Sequence, residues 1–255
     1  MSRKTYGSKS ITGKLRVYRY LKNSGKFSDA LPRTVPFTFH NLYKTIRRYS
    51  ALYIKPDVGS QGIGIYKVKK TSGGLLLRSA KRRKYFASVK KLYRYIRSRS
   101  NKRFIIQQGI ELEKVAGKPY DIRVMIQRKP KGKWTCTGIF AKVGKAKQIV
   151  TNYYQGGRIV LMDQIFERLQ LTPEQSAARL KQLEEISLSV ARRLSKKRSG
   201  MYEMGIDLAY EAENGRLWIL EVNSRHPQFY PLRRIDPPMY RRMRSFAKSI
   251  GRRSA

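Results

Sequence analysis

Cysteine and histidine are nearly absent from this chain. One cysteine, Cys136, excludes an intramolecular disulfide framework and any thiolate zinc site. Two histidines, His40 and His226, are too few for a His-rich metal centre, so metal chemistry has to rest on carboxylates and hard cations. No apolar run approaches the roughly 20 residues that span a bilayer. The polar, basic Met1–Ser10 segment lacks the apolar stretch of a secretory signal. A reducing, cytoplasmic setting is therefore expected. Acids are scarce too: 16 Asp and Glu face 57 Lys and Arg, a net charge of +41. Such a chain attracts polyanions. Yet 40% of its 255 residues are hydrophobic, enough to bury a core in one domain or two closely joined lobes.

The imbalance is uneven. Residues 1–105 carry 28 Lys and Arg against two acids, Asp29 and Asp57; residues 106–255 carry 29 against 14. The positions of the few carboxylates are therefore informative.

Periodicity predicts a helix over Lys14–Lys22 and an extended connector over Ala30–Pro36. A short helix is expected near Asn41, its candidate cap. Strands follow at Leu52–Lys55, Ile65–Val68 and Leu75–Arg78, with a Gly-rich loop over Asp57–Gly64. Ser88 is placed to cap a helix carrying Val89, Leu92, Tyr93 and Ile96, and Phe104–Gln108 reads as a strand. Tyr120–Gln127, Trp134–Val143 and Gln148–Tyr153 read as extended segments. Thr172-Pro-Glu-Gln175 is a capping box opening a helix that runs to about Lys197. Strands Met204–Tyr210 and Arg216–Val222 then form a hairpin. This is an α+β pattern of two helix-flanked antiparallel sheets meeting near residue 108. It divides the chain into a basic tail (1–13), a first lobe (14–108), a second lobe (109–245) and a basic tail (246–255).

Three constellations carry chemistry. In Lys55-Pro-Asp-Val-Gly-Ser-Gln-Gly-Ile-Gly64, glycines let backbone N–H groups approach phosphate oxygens and the lysine adds a point charge; a plain hairpin loop is the alternative. Asp207 lies one strand from Glu221 and Asn223, which share a strand face. Two carboxylates and an amide oxygen suit Mg²⁺, although salt bridges to the abundant cations would also account for them. Asp121 and Arg123 share a face as well, forming either a phosphoryl clamp or a structural ion pair. Lys142 and Asn152, followed by Gly156-Gly157, are placed to line the same cleft.

Taken in order, these motifs resemble the ATP-grasp superfamily, and most closely its YheC/YheD endospore coat-associated group. Phe104-Ile-Ile-Gln-Gln-Gly-Ile110, Tyr120-Asp-Ile-Arg-Val124, Val150-Thr-Asn-Tyr-Tyr-Gln-Gly-Gly157 and Gly205-Ile-Asp-Leu208 carry the likeness, which spans roughly Lys14 to His226. The C-terminal motifs are also similar to those of RimK-type glutamate ligases. The resemblance implies an ATP-grasp fold with an ATP site between the lobes. By it, Lys55 and the earlier Lys14 would contact phosphates, and the loop of Gly59, Ser60, Gln61, Gly62 and Gly64 would close over them. Gln107, Gln108 and Ile110 would form the adenine hinge, with Gln107 where many members carry an acid. Glu111 or Glu113 would take the ribose hydroxyls. Asp207, Glu221 and Asn223 would hold one or two Mg²⁺ ions, and Arg123, Lys142 and Asn152 would serve the transferring phosphate.

The implied reaction is carboxylate–amine ligation through an acylphosphate, which needs no side-chain nucleophile. The implied alternative is a spore-coat-associated protein that binds ATP or a polyanion without turnover. ATP-grasp ligases usually carry a further N-terminal domain. Only about ten residues precede Lys14, so a minimal core is expected, its acceptor held by the basic surface, a partner or another subunit. The basic, aromatic Arg78–Arg103 stretch suggests an acidic peptide, a protein tail or another polyanion as partner, with nucleic acid as the alternative.

Overall fold

The computed structural model describes residues 7–59, 62–80, 82–145, 148–149, 151 and 156–252. In chain order the elements are α1 (Lys14–Lys22), β1 (Thr34–Pro36), α2 (Phe39–Arg48), β2 (Ala51–Pro56), β3 (Tyr66–Thr71), β4 (Gly74–Arg78), β5 (Arg83–Phe86), α3 (Val89–Arg97) and β6 (Phe104–Gln108). There follow β7 (Lys114–Val115), β8 (Lys118–Gln127), β9 (Thr135–Val143), β10 (Arg158–Leu161), α4 (Met162–Arg168), α5 (Pro173–Lys197), β11 (Glu203–Tyr210), β12 (Leu217–Asn223), α6 (Leu232–Ile235) and α7 (Pro237–Ser249). They build two antiparallel sheets, ordered β1-β6-β2-β3-β4-β5 and β10-β9-β8-β11-β12, with β7 pairing β8 at one side. The α+β, helix-flanked arrangement agrees with expectation.

Alternation along the strands separates core from cleft. In the first sheet, Leu52, Ile54 and Ile106 pack with Leu42 and Ile46 of α2 and Leu92 and Ile96 of α3. That leaves Tyr53, Lys55 and Gln107 on the opposite face. In the second sheet, Ile122, Val124, Ile206 and Leu208 pack with Leu183, Val190 and Leu194 of α5. Asp121, Arg123 and Asp207 therefore face the other way. Further along that face, Met125 and Phe140 are covered by Met243 and Ala247 of α7. Gly138 makes this docking feasible, because a Cβ there would lie 2.2 Å from Met243 Cε.

Several local readings need correction. The cap of α2 is Thr38, whose hydroxyl accepts from Asn41 N–H; Asn41 lies inside the helix. The connector before it contains a strand, β1, paired with β6. The basic stretch after Arg78 contributes an edge strand, β5, paired with β4. Of the expected extended segment 148–153, the described residues Gln148, Ile149 and Thr151 are not strand; β9 pairs with β8 on one side and with β10 on the other. Helix α1, expected in the first lobe, places Val17 and Leu21 in the core beneath the second sheet.

The ends of the described chain are not loose tails either. Ser8 is buried, and Lys9 N–H donates to Gly200 O at 2.7 Å. Helix α7 continues to Ser249, and beyond it Arg252 is 5% exposed. Its Nη1 lies 2.9 Å from Oε1 of Glu203, a fully buried carboxylate, and 3.0 Å from Pro227 O. A buried charge that loses its partner is costly. Glu203→Ala should therefore lower the unfolding free energy by about 3–5 kcal/mol in urea denaturation. A loss under about 1 kcal/mol would show that the pair is not a buried anchor.

Candidate active site

The second sheet presents charged residues in register. Asp207 on β11 lies opposite Arg123 on β8 and Glu221 on β12, and Asp121 lies opposite Lys142 on β9. Arg123 grips Asp207 through two hydrogen bonds, Nε to Oδ1 at 2.6 Å and Nη2 to Oδ2 at 3.0 Å. Lys142 Nζ adds a bond to Oδ1 at 2.9 Å, and Asn223 Nδ2 one to Oδ2 at 3.0 Å. Gly205 leaves room for this arrangement, since a Cβ there would come within 2.9 Å of Arg123 Nη1. Burial opposes the charge of Asp207, yet Arg123 and Lys142 hold its carboxyl well below the usual range.

Lys142 is shared. Its Nζ is also 2.9 Å from Asp121 Oδ1, an ion pair whose angles fall outside hydrogen-bonding geometry; Asp121 Oδ2 accepts from the Thr151 hydroxyl. Burial lifts the Asp121 carboxyl above its ordinary value, with Lys142 pulling against it. Burial also opposes the charge of Lys142, but Asp121 and Asp207 more than offset it and raise its pKa.

A cleft of about 180 Å³ opens between the two sheets over this cluster. On the first sheet, Lys55 Nζ donates to Gln107 Oε1 at 2.7 Å. Burial, helped by Lys14, pulls the Lys55 pKa below the usual lysine value, and Glu221 works the other way. Gln107 joins the sheets: its Nε2 donates to Thr34 Oγ1 at 3.4 Å and to Leu220 O of β12 at 3.3 Å. Lys14 Nζ reaches Gly59 O at 2.9 Å and Glu221 Oε1 at 3.5 Å, so one lysine ties the Gly-rich loop to the carboxylate.

Lys14, Lys55, Gly59, Gly62, Gln107, Gln108, Ile110, Arg123, Lys142, Asp207, Glu221 and Asn223 all line the cleft. Ser60, Gln61 and Asn152 lie outside the described residues. Gly64 packs toward Pro56 and does not line the cleft. Glu113 is a correction: Arg179 Nη1 and Nη2 grip it at 2.8 and 3.0 Å, and the Tyr120 hydroxyl donates to it. Its carboxylate is thus engaged outside the cleft, and Glu111, exposed beside Lys114, does not line it either.

Three lining or supporting residues escaped the sequence reading. Tyr53 stands between Lys55 and Lys67, each Nζ 5.3 Å from its ring, and its hydroxyl donates to Ile149 O at 3.1 Å across the cleft. Its spacing of two from Lys55 was the available signal. Thr151 supports Asp121 from the 148–153 segment, whose described residues are not strand. Asp57 accepts from Leu15 N–H at 2.8 Å and so caps α1, whose own Gly13 provides no side chain.

The hard-cation reading has a physical test in the donor set. All four lone-pair sites of Asp207 are occupied by protein donors, so a metal there would have to displace one. Glu221 meets only the longer contact from Lys14, and the Asn223 amide oxygen has no donor among the described residues. No group of three or more His, Cys, Asp or Glu side chains suited to a metal occurs among the described residues. The set fits a Mg²⁺ that brings phosphate and water ligands with it, and does not fit an all-protein cage.

Asp207→Asn should cost about 3–5 kcal/mol at pH 7, because it strips Arg123 and Lys142 of their common counter-charge. A carboxyl whose pKa falls on folding stabilises above its ordinary value and loses that contribution below it. The gap between wild type and variant should therefore narrow as pH drops below about 4, read from urea unfolding at each pH. A gap independent of pH would contradict the charge network as its source.

Comparison with known proteins places this geometry. A family model described as YheC/D like ATP-grasp matches residues 3–249. The endospore coat-associated protein YheD of Bacillus subtilis (strain 168) is 28% identical over 97% of this chain; the chain spans 56% of that relative's length. N5-carboxyaminoimidazole synthetase from Staphylococcus aureus, solved as a complex with ADP, superposes with a TM-score of 0.59 at 10% identity, covering 96% of this chain and 52% of the other. VanG D-Ala:D-Ser ligase from Enterococcus faecalis gives a TM-score of 0.53 at 13% identity, covering 92% and 61%. At these identities the two solved structures establish a shared fold.

Proposed function

The chain belongs to the YheC/D-like ATP-grasp family, and from that premise we propose that it is an ATP- and Mg²⁺-dependent carboxylate–amine ligase. The observation that carries this reading is one small cleft holding Lys14, Lys55, Arg123 and Lys142 against a wall of Asp207, Glu221 and Asn223. With Lys67, five cations line the cleft against three acids, Asp121, Asp207 and Glu221, and the excess suits a polyphosphate. That solved relatives of the same fold include a synthetase bound to ADP and a D-Ala:D-Ser ligase supports the reaction class.

Lys14 and Lys55 would neutralise the polyphosphate beneath the Gly59–Gly64 loop, and Gln107, Gln108 and Ile110 would border the base. Asp207, Glu221 and Asn223 would hold Mg²⁺, which supplies Lewis-acid stabilisation of phosphoryl oxygens. Arg123 and Lys142 would meet the charge that develops on the transferring phosphoryl group. A substrate carboxylate oxygen bonds to the γ-phosphorus while the bond to the bridging oxygen breaks and ADP leaves. An amine nitrogen then bonds to the acyl carbon, phosphate departs and the nitrogen loses a proton. The protein contributes position and charge, consistent with the lack of a side-chain nucleophile. An acidic peptide or another polyanion, with nucleic acid as the competitor, would be recruited by the basic surface of β5 and α3, where Arg83, Lys84, Lys90, Lys91 and Arg94 are exposed.

The likeness to an endospore coat-associated protein favours a second reading, a spore-associated protein that binds ATP without turnover. One set of measurements separates the two. Mg-ATP should bind by calorimetry, and Lys55→Met and Glu221→Gln should each weaken it at least about tenfold. Under the ligase reading a panel of carboxylates with an amine should elicit ADP. Binding without ADP across the panel would favour the second reading, and absence of binding would refute both.

A further inference from the structure

The first sheet ends in an open edge. β5 is its outermost strand, paired with β4 alone, and Arg83, Lys84 and Tyr85 on it are exposed, Tyr85 to 61%. Two observations fix which backbone groups already pair with β4. Ser79 N–H donates to Arg82 O at 2.8 Å across the turn between the strands. Phe86 O faces β4 so closely that a Cβ on Gly74 would lie 2.5 Å from it. Hydrogen-bonded and non-bonded pairs alternate along an antiparallel ladder. Arg83 stands opposite Arg78, Lys84 opposite Leu77, Tyr85 opposite Leu76 and Phe86 opposite Leu75. Lys84 and Phe86 therefore bond to β4, and the N–H and C=O of Arg83 and Tyr85 point to the open side. No backbone group of the described residues meets them there.

The edge is basic on both faces. On one, Arg83 Nη2 donates to the Tyr85 hydroxyl at 2.7 Å. On the other, shared with Phe86, Lys84 Nζ lies 4.7 Å from the ring centroid of Tyr95, which Arg99 also approaches at 4.4 Å. Residues 58–110 hold 15 Lys and Arg and no Asp or Glu. Arg83, Lys84 and Arg99 have no carboxylate within ion-pair distance among the described residues. Charge on an edge strand ordinarily keeps other strands away. It does so by sign. A second copy of β5 would set Arg83 and Lys84 against like charges, whereas an acidic strand meets counter-charges on both faces.

We propose that β5 docks an acidic peptide segment, which adds to the first sheet as a further strand. The segment's backbone exchanges hydrogen bonds with Arg83 and Tyr85, and carboxylates on its two faces pair with Arg83 and with Lys84. Main-chain bonding of this kind supplies affinity, and the alternating side chains supply selectivity. The docking rests only on the recruitment reading above and stands whether or not the cleft turns over ATP. A nucleic acid would meet the same cations with phosphates, which only accept hydrogen bonds, and would leave the outward carbonyls of Arg83 and Tyr85 to water.

The probe is fluorescein-labelled Thr-Val-Glu-Glu-Val-Glu-Glu-Val-Thr, titrated with the full chain and read by anisotropy. Replacing its Glu by Gln should weaken binding at least about tenfold, which tests the charge. Methylating the amide nitrogens of its central residues removes donors without altering charge, and should also weaken binding about tenfold or more. On the protein, Tyr85→Pro removes one outward N–H at a position where an edge strand tolerates proline. It should bind the peptide about tenfold more weakly than Tyr85→Val, which keeps that N–H. An unchanged midpoint in urea shows that the proline variant is folded; should the midpoint fall, the methylated peptide decides. Binding indifferent to methylation, or to Gln in place of Glu, overturns the proposal. So does an oligouridylate that binds more tightly than the acidic peptide and displaces it, which would assign the edge to nucleic acid. None of these readouts passes through turnover, so failure here leaves the ligase reading standing, and a lack of ADP formation leaves the docking standing.

Discussion

The Asp207 side chain is 10% exposed and accepts four hydrogen bonds on two oxygens, from Arg123, Lys142 and Asn223. The cleft depends on that carboxylate. Arg123, Lys142 and Lys55 crowd into one small space with Lys14, and their mutual repulsion has to be offset from within. Asp207 offsets it at the centre, Asp121 and Glu221 at the two flanks. Lys55 shows the limit of that offset, since burial and Lys14 pull its pKa down although Glu221, Asp207 and Asp121 all act to raise it. Cross-strand register makes the arrangement stiff, because each partner of Asp207 belongs to a strand of one sheet.

The net charge of +41 says little about this site. Most of it lies on exposed surfaces, where water and salt screen it. Many of those cations also lie across aromatic rings. Arg83 stacks on Tyr85, Arg99 on Tyr95 and Arg128 on Trp134, with distances of 5.5, 4.4 and 4.7 Å to the ring centroids. It is the guanidinium heads that lie over these rings, a cation–π placement worth little at an exposed site. The few acids, by contrast, are concentrated where desolvated cations need them.

What could be read from the sequence was local. The Thr172 capping box and the Ser88 cap announce their helices because the signals lie within four residues. The strands bearing Lys55, Asp121, Arg123, Asp207 and Glu221 were legible from alternation, and with them most of the cleft wall. What failed depended on distant partners. Glu113 looked available for a ligand, but Arg179 arrives from α5, 66 residues later. Thr38 and Asn41 both have capping chemistry, and only the backbone path chooses between them. Strand β5 was hidden because an edge strand can be mostly basic, its burial pattern leaving only Phe86 inside. The basic tail contains Arg252, whose partner Glu203 lies on β11. Helix α7 did carry a signal, Asp236 followed by two prolines, and Asp236 Oδ1 does accept from Met239 N–H.

The cleft shares a wall with a neighbouring cavity of about 530 Å³, and that wall has a thermodynamic meaning. Arg123 and Lys142 form part of both walls, so neither chamber can be filled without altering the electrostatic surroundings of the other. Two ligands that perturb the same groups are linked, and linkage is reciprocal: whatever factor the first imposes on the affinity of the second, the second imposes on the first. Such coupling would require no hinge, no subunit and no remote pathway. It would be carried by two side chains that share one carboxylate.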